Sequence, residues 1–269
     1  MIKNKVLWII ILLSIFICII YTGYIMAGYY SIADDIITQK VKKTREGDSL
    51  IVIFIGDSWA AYHSKYDHHL MTCIEREINK PTKVISRGTV GAKTKTIYKE
   101  MHIDGPSGTK ELIELLPNYA IVSAGINDAV AKMGTKNYCH HYNLIIKELI
   151  SVGIKPIVID MPQVDYRAIY QRESMIAKIR HHLSSWITGA PLWSFENYRT
   201  ALQSLIRQDE INNHLIFIPA FEWNPEGYKD SRHLYLEDHV HLNENGYFLL
   251  DSCITSTIYH DIMSTHDFQ

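Results

Sequence analysis

Four short stretches of this sequence hold the residue types that acyl transfer needs. Gly56-Asp57-Ser58 directly follows a β-branched run, Leu50–Ile55. A serine at the carboxyl end of a strand projects into a cleft, and Gly56 permits a tight exit turn before it. Asp238 and His241 stand three apart in Asp238-His239-Val240-His241-Leu242-Asn243. On a turn, that spacing lets the carboxylate reach the imidazole Nδ1–H while Nε2 faces outward, which fixes the tautomer of a general base. His239 is a neighbouring alternative with the wrong spacing from Asp238. Gly125-Ile126-Asn127-Asp128 offers an amide that can donate to a developing oxyanion, and Gly88-Thr89-Val90-Gly91 offers backbone N–H groups that no side chain blocks. Each stretch also has a plain structural use, as a turn, a loop or a helix cap. Together they supply nucleophile, base, orienting acid and oxyanion donors.

The elements between these stretches predict how they are positioned. Strand-length apolar runs occur at Leu50–Ile55, Lys83–Ser86, Tyr119–Ser123, Pro156–Asp160 and Leu215–Ile218. Helical patterns cover about His68–Ile78, Thr109–Leu115, Asn137–Val152, Tyr166–Ile187, Phe195–Arg207 and Asn245–Ile262. The alternation predicts a parallel sheet with helices on both faces, whose sites form at the carboxyl ends of the strands. The first three stretches follow strands one, two and three, and the Asp238–His241 stretch precedes the last helix.

In this order the sequence resembles the SGNH/GDSL hydrolases, the esterase and lipase family with a G-D-S block, a glycine block, a G-x-N-D block and a D-x-x-H block. Here the blocks read GDS at Gly56–Ser58, SRGTVG at Ser86–Gly91, GIND at Gly125–Asp128 and DHVH at Asp238–His241. The resemblance spans about residues 50–260. It implies a flavodoxin-like three-layer α/β/α sandwich on a mostly parallel five-stranded sheet. It implies Ser58 as nucleophile, His241 as base and then acid, and Asp238 as the residue that orients it. The backbone N–H groups of Ser58 and Gly91 and the side chain of Asn127 become the oxyanion hole. No metal or organic cofactor is implied. Trp59 follows the nucleophile where many relatives carry a smaller residue, which suggests that it lines or narrows the acyl pocket. Ala92-Lys93 follows Gly91 where many relatives have an acidic residue.

Other features point elsewhere and are set aside. Gly88–Thr94 lacks the Gly-Lys step of a phosphate loop. The pairs His68-His69, His140-His141 and His181-His182 diverge by about 100° on a helix and do not chelate. The net charge of −2 gives no electrostatic case for nucleic acid. Of four cysteines, Cys18 lies in the apolar N-terminal run, and Cys73, Cys139 and Cys253 lack metal or disulfide spacing. Aromatics at 189–210 and 219–237 (Trp193, Phe195, Tyr198, Phe221, Trp223, Tyr228, Tyr235) serve equally as packing or as a substrate wall.

No charge occurs from Val6 to Ala33, and Val6–Tyr21 is densely apolar. A run of that length matches a transmembrane helix, since roughly 20 residues cross the hydrocarbon core. A cleaved signal peptide is the competing reading, against which stand the long run and the weak small-x-small site at Ile25-Met26-Ala27. Lys3 and Lys5 favour a cytoplasmic N-terminus. The expected organisation is an anchor at 1–30, a polar stalk at 31–48 and an extracytoplasmic hydrolase domain at 49–269. The expected activity is serine-esterase hydrolysis through an acyl-enzyme, removing acyl groups from an envelope or exported carbohydrate. A lipid-directed esterase or thioesterase, an O-acyltransferase and a binding module that keeps the fold are the alternatives.

Overall fold

A computed structural model describes residues 2–30, 49–162, 164–193, 195–225 and 227–266. The chain falls into two units, Met1–Thr38 and Gln39–Gln269. Among the described residues the first contains one helix, Ile2–Tyr30. Within it Asn4–Tyr24 is 21 residues long with a mean hydropathy of 2.7, and none of it is buried. That length and composition suffice to cross a membrane, and a signal sequence meets the same test. The stalk expected at 31–48 lies outside the described residues.

The second unit is built on five strands: β1 (Leu50–Gly56), β2 (Thr82–Gly88), β3 (Tyr119–Ser123), β4 (Lys155–Ile159) and β5 (Ile216–Ile218). Their order is β2-β1-β3-β4-β5. Every pairing is parallel, so the sheet is more regular than the mostly parallel one expected. β1 and β3 are buried along their whole length, as continuous β-branched runs must be when helices cover both faces. On one side the Asp67–Ile78 and Glu244–His266 helices pack together, and another group joins Thr94–Glu100, Thr135–Ser151 and Glu196–Ile206. The result is a three-layer α/β/α sandwich.

In this strand order the chain steps from β1 outward to β2 and then crosses back past β1 to β3 on its other side. The crevice outside the carboxyl ends therefore opens beside β1. The register places Gly56, Gly88 and Ser123 side by side at that end.

Two differences from the sequence expectation have clear causes. The single helix expected over Tyr166–Ile187 is two, Tyr166–Arg172 and Met175–Thr188. Ser174 breaks the run by capping the second, its Oγ accepting from Ala177 N at 3.2 Å. Short helices at Ser58–His63, Thr94–Glu100 and Ile126–Val130 follow the first three strands where loops or turns were expected. At five to seven residues they are too short to show a helical period.

Candidate active site

The site grows from the end of β1. Gly56 has φ +151, and a Cβ there would stand 2.0 Å from Ser123 O, so only glycine lets β1 leave the sheet here. Asp57 follows as the N-cap of the Ser58–His63 helix, its Oδ1 accepting from Trp59 N at 3.0 Å. That cap sets Ser58 at the first helical position. Gly88 closes the same corner from β2. A Cβ on it would stand 2.2 Å from Asp57 O, so its bare backbone lets the glycine block lie against the nucleophile turn.

The base arrives from the far end of the chain. Tyr235 and Leu242 form an antiparallel bridge, and Leu236 N donates to His241 O at 2.8 Å, closing a tight turn between them. His239 adopts φ +61 inside this turn. The reversal lets one oxygen of Asp238 accept from both Val240 N (2.9 Å) and His241 N (3.0 Å). Its other oxygen lies 2.5 Å from His241 Nδ1, and His241 Nε2 lies 2.8 Å from Ser58 Oγ. Ser58, His241 and Asp238 thus form one continuous hydrogen-bonded relay, the arrangement that a nucleophile, its base and an orienting carboxylate need. The ring of Tyr62 packs on His241 at 4.6 Å between centroids. Asn243 ends the turn by capping the last helix, its Oδ1 accepting from Gly246 N at 3.1 Å.

Asn127 meets the glycine block just past Gly91, at Ala92. Asn127 Nδ2 donates to Ala92 O at 3.0 Å and stands 3.4 Å from Asp57 Oδ2. The glycine block, the Gly125–Asp128 block and the nucleophile turn are therefore tied together. Gly91 has φ +79 with open space around its missing side chain, which suits a backbone exposed to solvent. Asp128 lies behind the Ala92-Lys93 step. Its carboxylate accepts from Thr94 N (2.9 Å) and Thr94 Oγ1 (2.7 Å), holding the start of the next helix.

The three carboxylates experience different fields. Burial raises Asp57 to about 7, helped by the nearby Asp128 charge and opposed by the hydrogen bond from Trp59 N. Burial likewise raises Asp128 to about 6 against the hydrogen bonds from Thr94. For Asp238, partial burial acts upward. The hydrogen bonds from the His241 ring and from the His241 and Val240 backbones outweigh it, so its pKa lies below the usual carboxylate range. Asp238 is thereby kept ionised beside the imidazole.

Trp59 does not line a pocket, contrary to the expectation. It is fully buried against Trp223 (5.7 Å) and Tyr247 (6.5 Å), with Tyr247 donating to its carbonyl at 3.0 Å. As the second helical residue it points into the core, while Ser58 faces the cleft. Most of the other aromatics weighed as a substrate wall also pack: Phe195, Tyr198, Trp223 and Tyr235 are buried, and Trp193 and Phe221 are exposed.

Three supporting residues carried no sequence signal. His63 is fully buried at the end of the nucleophile helix, with Nδ1 2.7 Å from Ser86 Oγ and Nε2 2.7 Å from Asp251 Oδ1. Burial opposes its charge, but the hydrogen bonds to Asp251 and Asp67 prevail and raise its pKa. Asp251, on the last helix, also accepts from His69 at 2.7 Å. The helix carrying Ser58 is thus braced to the helix that follows His241. Arg172 forks onto the carbonyls of Glu237 (3.0 Å) and Asp238 (3.1 Å), gripping the base turn from outside.

No family model and no curated protein matches the sequence. Solved structures do match. A GDSL-like lipase from Bacteroides thetaiotaomicron superposes with a TM-score of 0.51 at 15% identity, covering 90% of this chain and 98% of that one. A lipase/acylhydrolase from Enterococcus faecalis gives 0.52 at 18% identity, covering 79% and 96%. A Geobacillus acetyl-xylooligosaccharide esterase gives 0.53 at 14% identity, covering 78% and 94%. At such identities the likeness is one of fold, and the fold of this chain is that of the SGNH/GDSL hydrolases.

Proposed function

We propose that this protein is a serine esterase that removes O-acyl groups, acetyl foremost, from a carbohydrate outside the cytoplasm, while its N-terminal helix holds it to the membrane. The observation that carries the reading is the relay from Ser58 Oγ through His241 to Asp238. Ser58 Oγ attacks the ester carbonyl as His241 Nε2 takes its proton. Negative charge on the carbonyl oxygen is met by the N–H groups of Ser58 and Gly91 and by Asn127 Nδ2. His241 then returns the proton to the departing alcohol, leaving an acyl-Ser58 ester. Water, deprotonated by His241, repeats the sequence and frees the acid. Asp238 orients the imidazole and offsets the charge it acquires.

The carbohydrate assignment draws on the structural neighbours, which include an acetyl xylan esterase and an acetyl-xylooligosaccharide esterase. On this reading the chain comprises an anchor at 1–30, a stalk at 31–48 and a hydrolase domain at 49–269. A lipid-directed esterase is the second reading. It is favoured by the exposed side chains of Val90 in the glycine block and Leu236 at the base turn. The test is hydrolysis of p-nitrophenyl acetate, butyrate and octanoate by the full chain in detergent, beside Ser58→Ala. Activity on acetate that vanishes in the variant supports the proposal. Preference for octanoate moves it to lipid esters, and unchanged activity in Ser58→Ala refutes it.

A further inference from the structure

The Met175–Thr188 helix is built the wrong way round for a soluble domain. The side chains it turns inward are small or polar: Ala177, His181 and Ser184 are its buried residues. Its large apolar side chains face outward, with Met175 79%, Ile176 81%, Ile179 54% and Trp186 75% exposed. At about 100° per residue these four, with Leu183 and Ile187, fall within one arc of roughly 120°. A surface helix ordinarily shows the reverse arrangement. Cations border this arc: Arg180 lies just beyond one edge, and Lys178 lies beyond the other. The helix contains no acidic residue.

We propose that this helix docks in the plane of a lipid bilayer, its apolar arc entering the acyl boundary and its cations meeting anionic headgroups. An outward apolar arc with Trp, flanked by Lys and Arg, is the pattern of an interfacial helix. A second observation names the bilayer as occupant. The chain carries its own membrane-length helix, and the connecting stretch 31–48 can span at most about 60–65 Å. A domain tethered on that length stays close to lipid, where a modest interfacial affinity acts at high effective concentration. The inference rests on the membrane-anchored reading given above. It adds that the catalytic unit lies down on the membrane instead of floating above it. Three residues before this helix begins, its neighbour ends at Arg172, which grips the Asp238 turn. Docking would therefore hold the rim of the cleft next to the lipid headgroups.

The test uses the full chain reconstituted into vesicles of phosphatidylcholine and phosphatidylglycerol, with or without brominated acyl chains. Wild type is compared with Trp186→Phe, so that the difference isolates Trp186 from Trp8, Trp59, Trp193 and Trp223. The expected result is that the chain floats with the vesicles and that brominated lipid quenches most of the Trp186 difference signal. Ile176→Asp/Ile179→Asp should abolish that quenching while keeping esterase activity on a soluble ester. Flotation with Trp8 quenched but Trp186 unquenched overturns the docking and leaves the anchor standing. A Trp186 signal that shifts only as protein-to-lipid ratio rises, without quenching, also overturns it, in favour of a second copy of this chain. Failure to float removes the anchor and the docking together.

Discussion

Asp238→Asn is the most informative single exchange, because the structure dictates how the new amide must sit. One oxygen of Asp238 accepts from two backbone N–H groups, at 2.9 and 3.0 Å. The amide oxygen of Asn must take that place, since its NH₂ would otherwise face two donors. The NH₂ is then directed at His241 Nδ1, which the carboxylate approaches to 2.5 Å. Nδ1 must become an acceptor, the ring proton moves to Nε2, and Nε2–H donates to Ser58 Oγ. The shape is kept, but the base is already protonated where it should receive. In serine proteases with the same relay this exchange costs about 10⁴ in kcat, or about 5.4 kcal/mol of transition-state stabilisation. Asp238 is only partly buried and the amide oxygen keeps its two backbone hydrogen bonds, so the fold should survive the exchange. The assay is steady-state hydrolysis of p-nitrophenyl acetate, with circular dichroism to confirm the fold. A folded Asp238→Asn protein within about tenfold of wild-type kcat/KM would refute the assignment of the orienting role.

Asn127→Ala should lower kcat by about 10²–10³ without unfolding the domain, as loss of one oxyanion donor does; a folded variant with wild-type turnover removes Asn127 from the chemistry. The Asp57 carboxyl has a folded pKa of about 7 against its ordinary 3.8, so the folded state holds the proton more tightly. Its contribution is complete below about pH 4 and is lost as pH rises through about 7, a change on the order of 4 kcal/mol. Urea denaturation at pH 5 and pH 8 should show greater stability at pH 5, with the difference shrinking in Asp57→Asn; an equal difference in both proteins would contradict the argument. His63→Ala strips Asp251 of a fully buried partner and should destabilise by about 3–5 kcal/mol. A loss below 1 kcal/mol in equilibrium unfolding would mean that the brace between the two helices is dispensable.

Much of the fold could be read from sequence because parallel strands buried on both faces are continuous β-branched runs, and all five runs became strands. The candidate site was legible as a juxtaposition, because Ser58, Asn127, Asp238 and His241 lie in compact local motifs that the fold brings together. What was not legible depends on distance in the chain. Nothing near His63 announces that Asp251 will face it 188 residues later. Arg172 reaches across 65 and 66 residues to two carbonyls, and a backbone acceptor leaves no trace in sequence. Trp59 was misjudged for a different reason. The helix beginning at Ser58 turns successive residues about 100° apart, so the neighbour of an outward serine can point straight into the core.

The separation of the two halves of the relay also fixes when the protein can first act. Ser58 lies on the first strand-to-helix turn of the catalytic unit, and His241 follows 183 residues later. At about 5–20 residues per second, that stretch takes roughly 10–40 s to synthesise. Throughout that interval the nucleophile exists without its base. Catalytic competence therefore comes with the last helix, whose Asp251 must find His63 as His241 finds Ser58.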